Sequence, residues 1–485
     1  MKLILTFLFF TLSSPLLSDQ RPNIVFVLID DLGWNGLSSY GNKYVQTPHL
    51  DKLAKEGARF TDAYGMGQCS PARFAFLTGQ SAARTNHTAV VLEKHLLPNA
   101  RLIQPESNRT LDPKSINIGR ELKNTGYRVG VIGKWHIDVE ESRVRAQMGS
   151  PKYIAQWGFD HIKMKKQPND PKSVMAYSQA VIDYLKQDQS KPTFAYLAHT
   201  TLHTALAAPA ELIQKYVAMG YNKSPDKKGS WEDRPIADYF AMIDYMDQSI
   251  GLLMKGIEEM KSDRETLVIF MSDNGGLSRV WENEPLRRGK GSAYEGGIRV
   301  PLIMHWPERI KAGQTISEPV HITDLFPSFL SIADTPIPAN HPLDGMNIMP
   351  LVNGGNIERE FFCIHMPVYV PHYSHTPSSV IRMGDYKLVK FFGDYIADPA
   401  SKEITAEGRI ELFNLRNDLG ETKDLSKEMP EKAKEMERKL MNWLAERKAY
   451  MPKINPKFNA KKWSDSIASK VDSYGKSIYK KDQKK

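Results

Sequence analysis

The sequence predicts an α/β fold: a large, mostly parallel sheet flanked by helices, followed by a smaller C-terminal antiparallel α+β subdomain. Three observations carry that expectation. Short, continuously apolar runs alternate with helical patterns up to about residue 350; hairpin-like segments replace them afterwards; and a polar cluster stands directly behind each strong apolar run. A run that is apolar at every position fits a strand covered on both faces, as in a parallel sheet between two helix layers.

The runs NIVFVLI (23–29), YRVGVI (127–132), TFAYLA (193–198) and TLVIFM (266–271) read as such strands. Between the last two, Ile236, Phe240, Ile243, Met246, Ile250, Leu253 and Ile257 recur at three- and four-residue steps, outlining a helix with one core-facing stripe. Asp244 and Asp247 on that helix are expected to face solvent. Residues 379–392, SVIRMGDYKLVKFF, read as two strands around a Gly384-Asp385 turn, and RIELFNL adds a third. Pro430 then opens a helix with Ala433, Met436, Leu440 and Leu444 on one face. The expected organisation is a domain over 19–350, a subdomain over 351–450 and a basic tail over 451–485.

Residues 1–18, MKLILTFLFFTLSSPLLS, carry one lysine, an apolar run and small residues before Asp19, the pattern of a secretory signal peptide. Export to a periplasm or the medium is expected, or to a lysosome in a eukaryote. No later segment has eighteen uninterrupted apolar residues, so an integral membrane protein is not expected. The formal charge is +9, but residues 451–485 hold ten lysines and three aspartates, leaving only +2 for the rest. A charge gathered on a polar tail reads as a solvated extension, and nucleic acid is not an expected partner. Cys69 and Cys363 are the only cysteines and could close at most one long loop. A 55.0 kDa chain needs no such staple, which leaves Cys69 free for chemistry.

The chemistry gathers behind the strands. Asp30 and Asp31 follow the first, Lys134 and His136 the second, His199 and His203 the third, and Asp273 and Asn274 the fourth. Open α/β sheets bind ligands at the carboxyl ends of their strands, so one rim should hold the site. Two oxygen-rich clusters without grouped His or Cys suit a hard cation, calcium or magnesium, which would also relieve the repulsion between adjacent carboxylates. Lys134 and His136 would point the same way if the strand ran on through them. Either His199 or His203 is eligible, and Lys290 stands in a glycine-flanked loop, RRGKGSAYEGG, whose spacing is not that of a P-loop.

In this order, RPNIVFVLIDDLGW, TPHLDKLAKEGARFTDAYG, CSPARFAFLTG, TGYRVGVIGKWH, SDNGG, LRRGKGSAYEGGIRVPLIMHWP, LDGMNIMPL and ELFNLRNDLGETKDL cover most of the chain. Together they resemble the sulfatases, the formylglycine-dependent branch of the alkaline phosphatase superfamily. The resemblance implies that Cys69, in its C-x-P-x-R element with Pro71 and Arg73, is oxidised to formylglycine by a formylglycine-generating or anaerobic sulfatase-maturating enzyme. The hydrated aldehyde would attack sulfur and then expel sulfate by carbon–oxygen cleavage. It further implies one calcium ion on Asp30, Asp31, Asp273, Asn274 and position 69. Arg73 would steady the diol, and Lys134, His136, His203 and Lys290 would surround the sulfate, with His136 assisting elimination and His203 the leaving alkoxide. The helix expected after Arg73 would point its amino end at the same anion. The implied activity is that of a sulfuric ester hydrolase acting on a sulfated carbohydrate or small sulfate ester. Two alternatives are a phosphonate monoester or phosphodiester hydrolase using the same formylglycine, and a catalytically silent glycan-binding protein with unmodified Cys69. Sugar preference is expected to reside in loops such as 87–112 and 140–175.

Overall fold

A backbone buried on both faces can satisfy its N–H and C=O groups only by pairing, which is why the apolar runs become the strands of one sheet. A computed structural model of the chain describes residues 19–90, 100–137, 151–221, 236–278, 280–370, 373, 375–393, 408–459 and 461–462. The leader at 1–18, most of the basic tail and parts of the 87–112 and 140–175 loops lie outside the described residues. Strands β1 (Asn23–Ile29), β2 (Ala58–Tyr64), β3 (Leu102–Ile103), β4 (Arg128–Gly133), β5 (Asp160–His161), β6 (Thr193–Ala198), β7 (Thr266–Ser272), β8 (Arg299–His305), β9 (Gln314–Ile316) and β10 (Val320–His321) precede residue 350. All but β3 join one sheet in the order β10-β2-β8-β7-β1-β6-β4-β5, with β9 also on β2. Every pairing is parallel except the two that β8 makes with β2 and β7.

Because β1 is central, its alternating side chains feed two cores. Ile24, Phe26 and Leu28 join Phe74, Phe76 and Phe326 on one face, while Val25, Val27 and Ile29 join Leu50, Val181 and Phe240 on the other. The helix Ile236–Glu259 forms as its spacing predicts. Asp244 and Asp247, however, are buried rather than solvent-facing, because the helices Pro48–Glu56, Val174–Gln187 and Ala210–Ala218 pack around it. Asp247 accepts from the backbone N–H groups of His49 and Leu50 at 3.1 and 2.8 Å, and Asp244 from Lys215 Nζ at 2.6 Å.

Strands β11 (Phe362–Met366), β12 (Ser378–Met383), β13 (Tyr386–Phe391) and β14 (Arg409–Asn414) form an antiparallel sheet in sequence order. Met383 pairs with Tyr386 across the two-residue turn, where Gly384 takes φ 55°. The helix Pro430–Glu446 lays Ala433, Met436, Leu440 and Leu444 against Ile381, Leu388 and Leu412 of this sheet. The start of the basic tail is anchored: β15 (Lys453–Ile454) pairs with β3. Both cysteines are free and buried, and no helix among the described residues is long and apolar enough to cross a membrane.

Candidate active site

The carboxyl ends of β1, β4, β6 and β7 meet at one rim of the sheet, and the chain leaves each strand there on a polar residue. The helix Cys69–Thr78 begins at Cys69 and not after Arg73, so Arg73 lies inside it and its first turn faces the rim. Cys69 Sγ lies 3.1 Å from Asp30 Oδ1, 3.7 Å from Asp31 Oδ1 and 3.2 Å from Lys290 Nζ. Asp30 Oδ2 accepts from Lys134 Nζ at 2.7 Å, while Lys290 Nζ reaches Asp31 Oδ1 at 2.7 Å and Oδ2 at 2.8 Å. Arg73 spans the site, donating to Asp273 Oδ2 at 2.9 Å, to the Lys134 carbonyl at 2.7 Å and to the Tyr196 hydroxyl at 3.2 Å.

The condition under which Lys134 and His136 would share a strand face is not met, because the strand stops before them. β4 ends at Gly133, whose φ of 96° and whose place against the Ala198 carbonyl, 1.9 Å from where a Cβ would stand, suit glycine. His136 itself has φ 57°. The lysine and the histidine therefore reach the rim from a turn. His136 is buried with neither ring nitrogen hydrogen-bonded. Of the two eligible histidines behind β6, His199 is fully buried and bonds Thr201 Oγ1 at 3.1 Å, whereas His203 lines a cavity together with Asp30 and Lys134. His203 Nδ1 donates to the Thr204 carbonyl at 2.8 Å, which leaves Nε2 as the other ring position.

Burial sets the charge states. It would push Asp30 up, but Lys134, with His203 and Lys290, holds that carboxyl well below the usual carboxylate range. Asp273 is pushed up to about 7 by burial and by the Asp30 charge, against the pull of Arg73. Burial and Asp30 raise the Cys69 thiol well above its ordinary value, so the sulfur is protonated and a poor nucleophile as it stands. Burial, then Lys134 and Arg73, depress His136, and burial, then Lys290 and Lys134, depress His203.

The donor set fits a hard cation. One ligand atom each from Asp30, Asp31, Cys69 and Asp273 lies within 4.8 Å of the others, all buried. Asn274 Nδ2 donates to Asp31 Oδ1 at 2.8 Å, while its buried Oδ1 has no hydrogen-bond partner and is a ready ligand oxygen. Sequence reasoning missed Tyr196 and Lys172. A tyrosine inside the apolar run of β6 was a signal for the first; a loop lysine offered none for the second.

Comparison with known proteins decides the family. The sulfatase family model matches residues 22–335, which includes every residue of the rim. The chain belongs to the sulfatase family. A second model, N-sulphoglucosamine sulphohydrolase, C-terminal, matches residues 289–449 and takes in the smaller sheet of this sulfatase. A sulfatase of Formosa agariphila is 30% identical, the alignment covering 91% of this chain and 93% of that one. Human arylsulfatase A is 29% identical, with 86% of each chain covered. Among solved structures, Ps i-CgsB in complex with k-i-k-neocarrahexaose superposes with a TM-score of 0.68 at 26% identity, over 95% of this sulfatase and 99% of that chain.

Proposed function

We propose that this sulfuric ester hydrolase cleaves an organic sulfate monoester on a carbohydrate, with a formylglycine made from Cys69 and one calcium ion. The observation that carries this is the placement of a protonated, buried Cys69 within 3.2 Å of both Asp30 and Lys290. A thiol that burial keeps from ionising gains nothing from that position as a thiol. As an aldehyde hydrate it would supply a nucleophilic hydroxyl there.

Asp30, Asp31, Asp273 and Asn274 would hold the calcium, which would offset the carboxylate charge and polarise oxygen in the site. Lys134 and Lys290 bring positive charge against the sulfate, and each such donor contributes about 3 kcal/mol where charge develops in the transition state. Arg73, through Asp273 and the Lys134 carbonyl, ties the ends of β7 and β4 and the Cys69 helix into one frame. His136, neutral in its buried place, can take a proton from the second hydroxyl at position 69. His203 stands in the cavity wall where the alcohol must leave, and an arriving sulfate opposes the cationic neighbours that depress its basicity.

The complex of a structural relative with neocarrahexaose supports a carbohydrate as the alcohol. The leader read at 1–18 supports export, where such saccharides are met, and a maturase acts before folding closes over Cys69. Mass analysis of the peptide that contains CSPAR, paired with turnover of an aryl sulfate and an aryl phosphonate, tests the reading. An aldehyde at position 69 with sulfate preferred upholds it; an unaltered thiol in folded protein, or a preference for the phosphonate, overturns it.

A further inference from the structure

The cavity that starts at Asp30, Lys134 and His203 does not end there. It has a volume of about 380 Å³, room for a sugar unit beyond the sulfate, and its outer wall takes in Lys166, Lys172, Ser173 and Tyr177. Lys166, Lys172 and Ser173 come from the stretch HIKMKKQPNDPKS, which carries four lysines and two aspartate or asparagine side chains between positions 161 and 173. Its single carboxylate does not answer those charges. Asp170 accepts from the backbone N–H groups of Met175 and Ala176 at 3.1 and 2.9 Å and from the Tyr245 hydroxyl at 2.7 Å.

Lys172 is the built part of this wall. Its Nζ donates to the Thr200 carbonyl at 3.1 Å and to the His203 carbonyl, so the ammonium is anchored beside the loop that presents His203. The backbone of Lys172 and Ser173 is left-handed, φ 58° and 60°, in the turn that leads into the helix Val174–Gln187, and both residues line the cavity. Burial lowers Lys172 to about 8, and the carboxylates it feels are those of Asp30 and Asp31 in the sulfate site itself. Asp30 is already matched by Lys134 at 2.7 Å. Two ammonium groups on the outer wall thus face the cavity with no carboxylate of their own among the lining residues.

We infer that Lys172 and Lys166 form a second anion subsite, which selects saccharides bearing a carboxylate or a further sulfate beside the sulfate that is cleaved. The inference rests on the sulfate-ester reading of the rim and adds the substrate class: a polyanionic saccharide rather than a neutral one. A half-buried ammonium anchored by carbonyls loses little freedom on meeting an anion, and a charge-assisted contact of this kind is worth more than one to a fully exposed lysine.

Calorimetry on the folded full-length protein separates the cases, with N-acetylgalactosamine 6-sulfate, its 4,6-disulfate, and the same monosulfated sugar carrying a glucuronic acid as probes. The wild type should bind one or both doubly charged probes at least about tenfold more tightly than the singly charged one. Which of the two gains shows whether a sulfate or a carboxylate is the natural occupant. Lys172→Met should bring that ratio close to one, Lys166→Met should reduce it, and Lys172→Arg should restore most of it. A ratio near one in the wild type, or a ratio that Lys172→Met leaves unchanged, overturns the subsite. Aryl sulfate turnover by the wild type reports separately on the hydrolase reading, since it needs no second anion.

Discussion

Cys69 Sγ stands 3.1 Å from Asp30 Oδ1 at the start of a helix, in a pocket that keeps the thiol protonated. A sulfur there is a precursor. Cys69→Ala is expected to lower sulfate-ester turnover by about a thousandfold or more while the thermal melting curve keeps its cooperativity. Turnover near that of the wild type would remove position 69 from the chemistry.

Asp273 joins the acidic cluster while Arg73 holds its Oδ2 at 2.9 Å. Asp273→Asn keeps the shape and removes the charge, so calcium affinity measured by calorimetry should fall by about a hundredfold, at least what the loss of an outer-shell partner costs. Chelation of the wild type should lower its melting temperature, and that shift should shrink in the variant. Equal affinity in the two proteins would take Asp273 off the ligand set.

His203 is expected to matter in proportion to how badly the alcohol leaves. Replacement by Asn should reduce turnover of an alkyl or sugar sulfate by about a hundredfold, and that of an aryl sulfate with an acidic phenol far less. Parallel losses on the two substrates would make His203 a binding group and move the acid role elsewhere.

The strands of the large sheet were readable because each is buried on both faces, which forces an apolar residue at every step and leaves the first polar residue to mark the rim. The hairpin at Gly384-Asp385 was readable from its turn chemistry. What the sequence did not show depends on packing between distant segments. The helix that carries Asp244 and Asp247 has a single apolar stripe, yet three other helices cover its remaining faces, so both carboxylates became buried acceptors. Gly133, at the end of β4, lies too close to Ala198 for a side chain, and no local pattern reports a neighbour 65 positions away. Lys172 entered the cavity wall by a left-handed turn that its own residue type does not favour.

The two sheets are joined by charge as well as apolar contact. Lys387 of β13 donates to Glu295 Oε1 at 2.9 Å and to Glu421 Oε1 at 2.7 Å, and all three side chains are fully buried. Burial would raise Glu295, but Lys387 and Arg299 hold it at about 2, while burial pushes Glu421 up to about 7. Lys387→Met would strand the Glu295 charge, and chemical denaturation should show a loss of about 3 to 5 kcal/mol. Adding Glu295→Gln should recover part of it; a loss under about 1 kcal/mol would mean that water reaches the triad.

Single buried histidines should cost stability in mild acid, and His365 offers a way to see it. Its ring bonds Ser379 Oγ at 2.7 Å and the Tyr450 carbonyl at 3.1 Å, and burial lowers it from 6.5 to about 4. The folded state therefore holds His365 neutral where the unfolded chain would protonate it. Its contribution is complete above pH 6.5 and is lost progressively as the pH falls towards about 4, at a slope of about 1.4 kcal/mol per pH unit. His87, His321 and His375, each lowered to about 4 by burial, act in the same direction. Asp247 and Glu421, both raised to about 7, act in the opposite one, because the folded state keeps protons that the unfolded chain gives up. The whole-protein curve mixes these effects, so the useful quantity is a difference. His365→Gln keeps a donor and an acceptor but does not titrate, and its stability deficit relative to wild type, measured by urea unfolding, should narrow steadily from pH 6.5 down to pH 4.5. A deficit that stays constant over that range would mean that His365 titrates alike in the folded and unfolded chain.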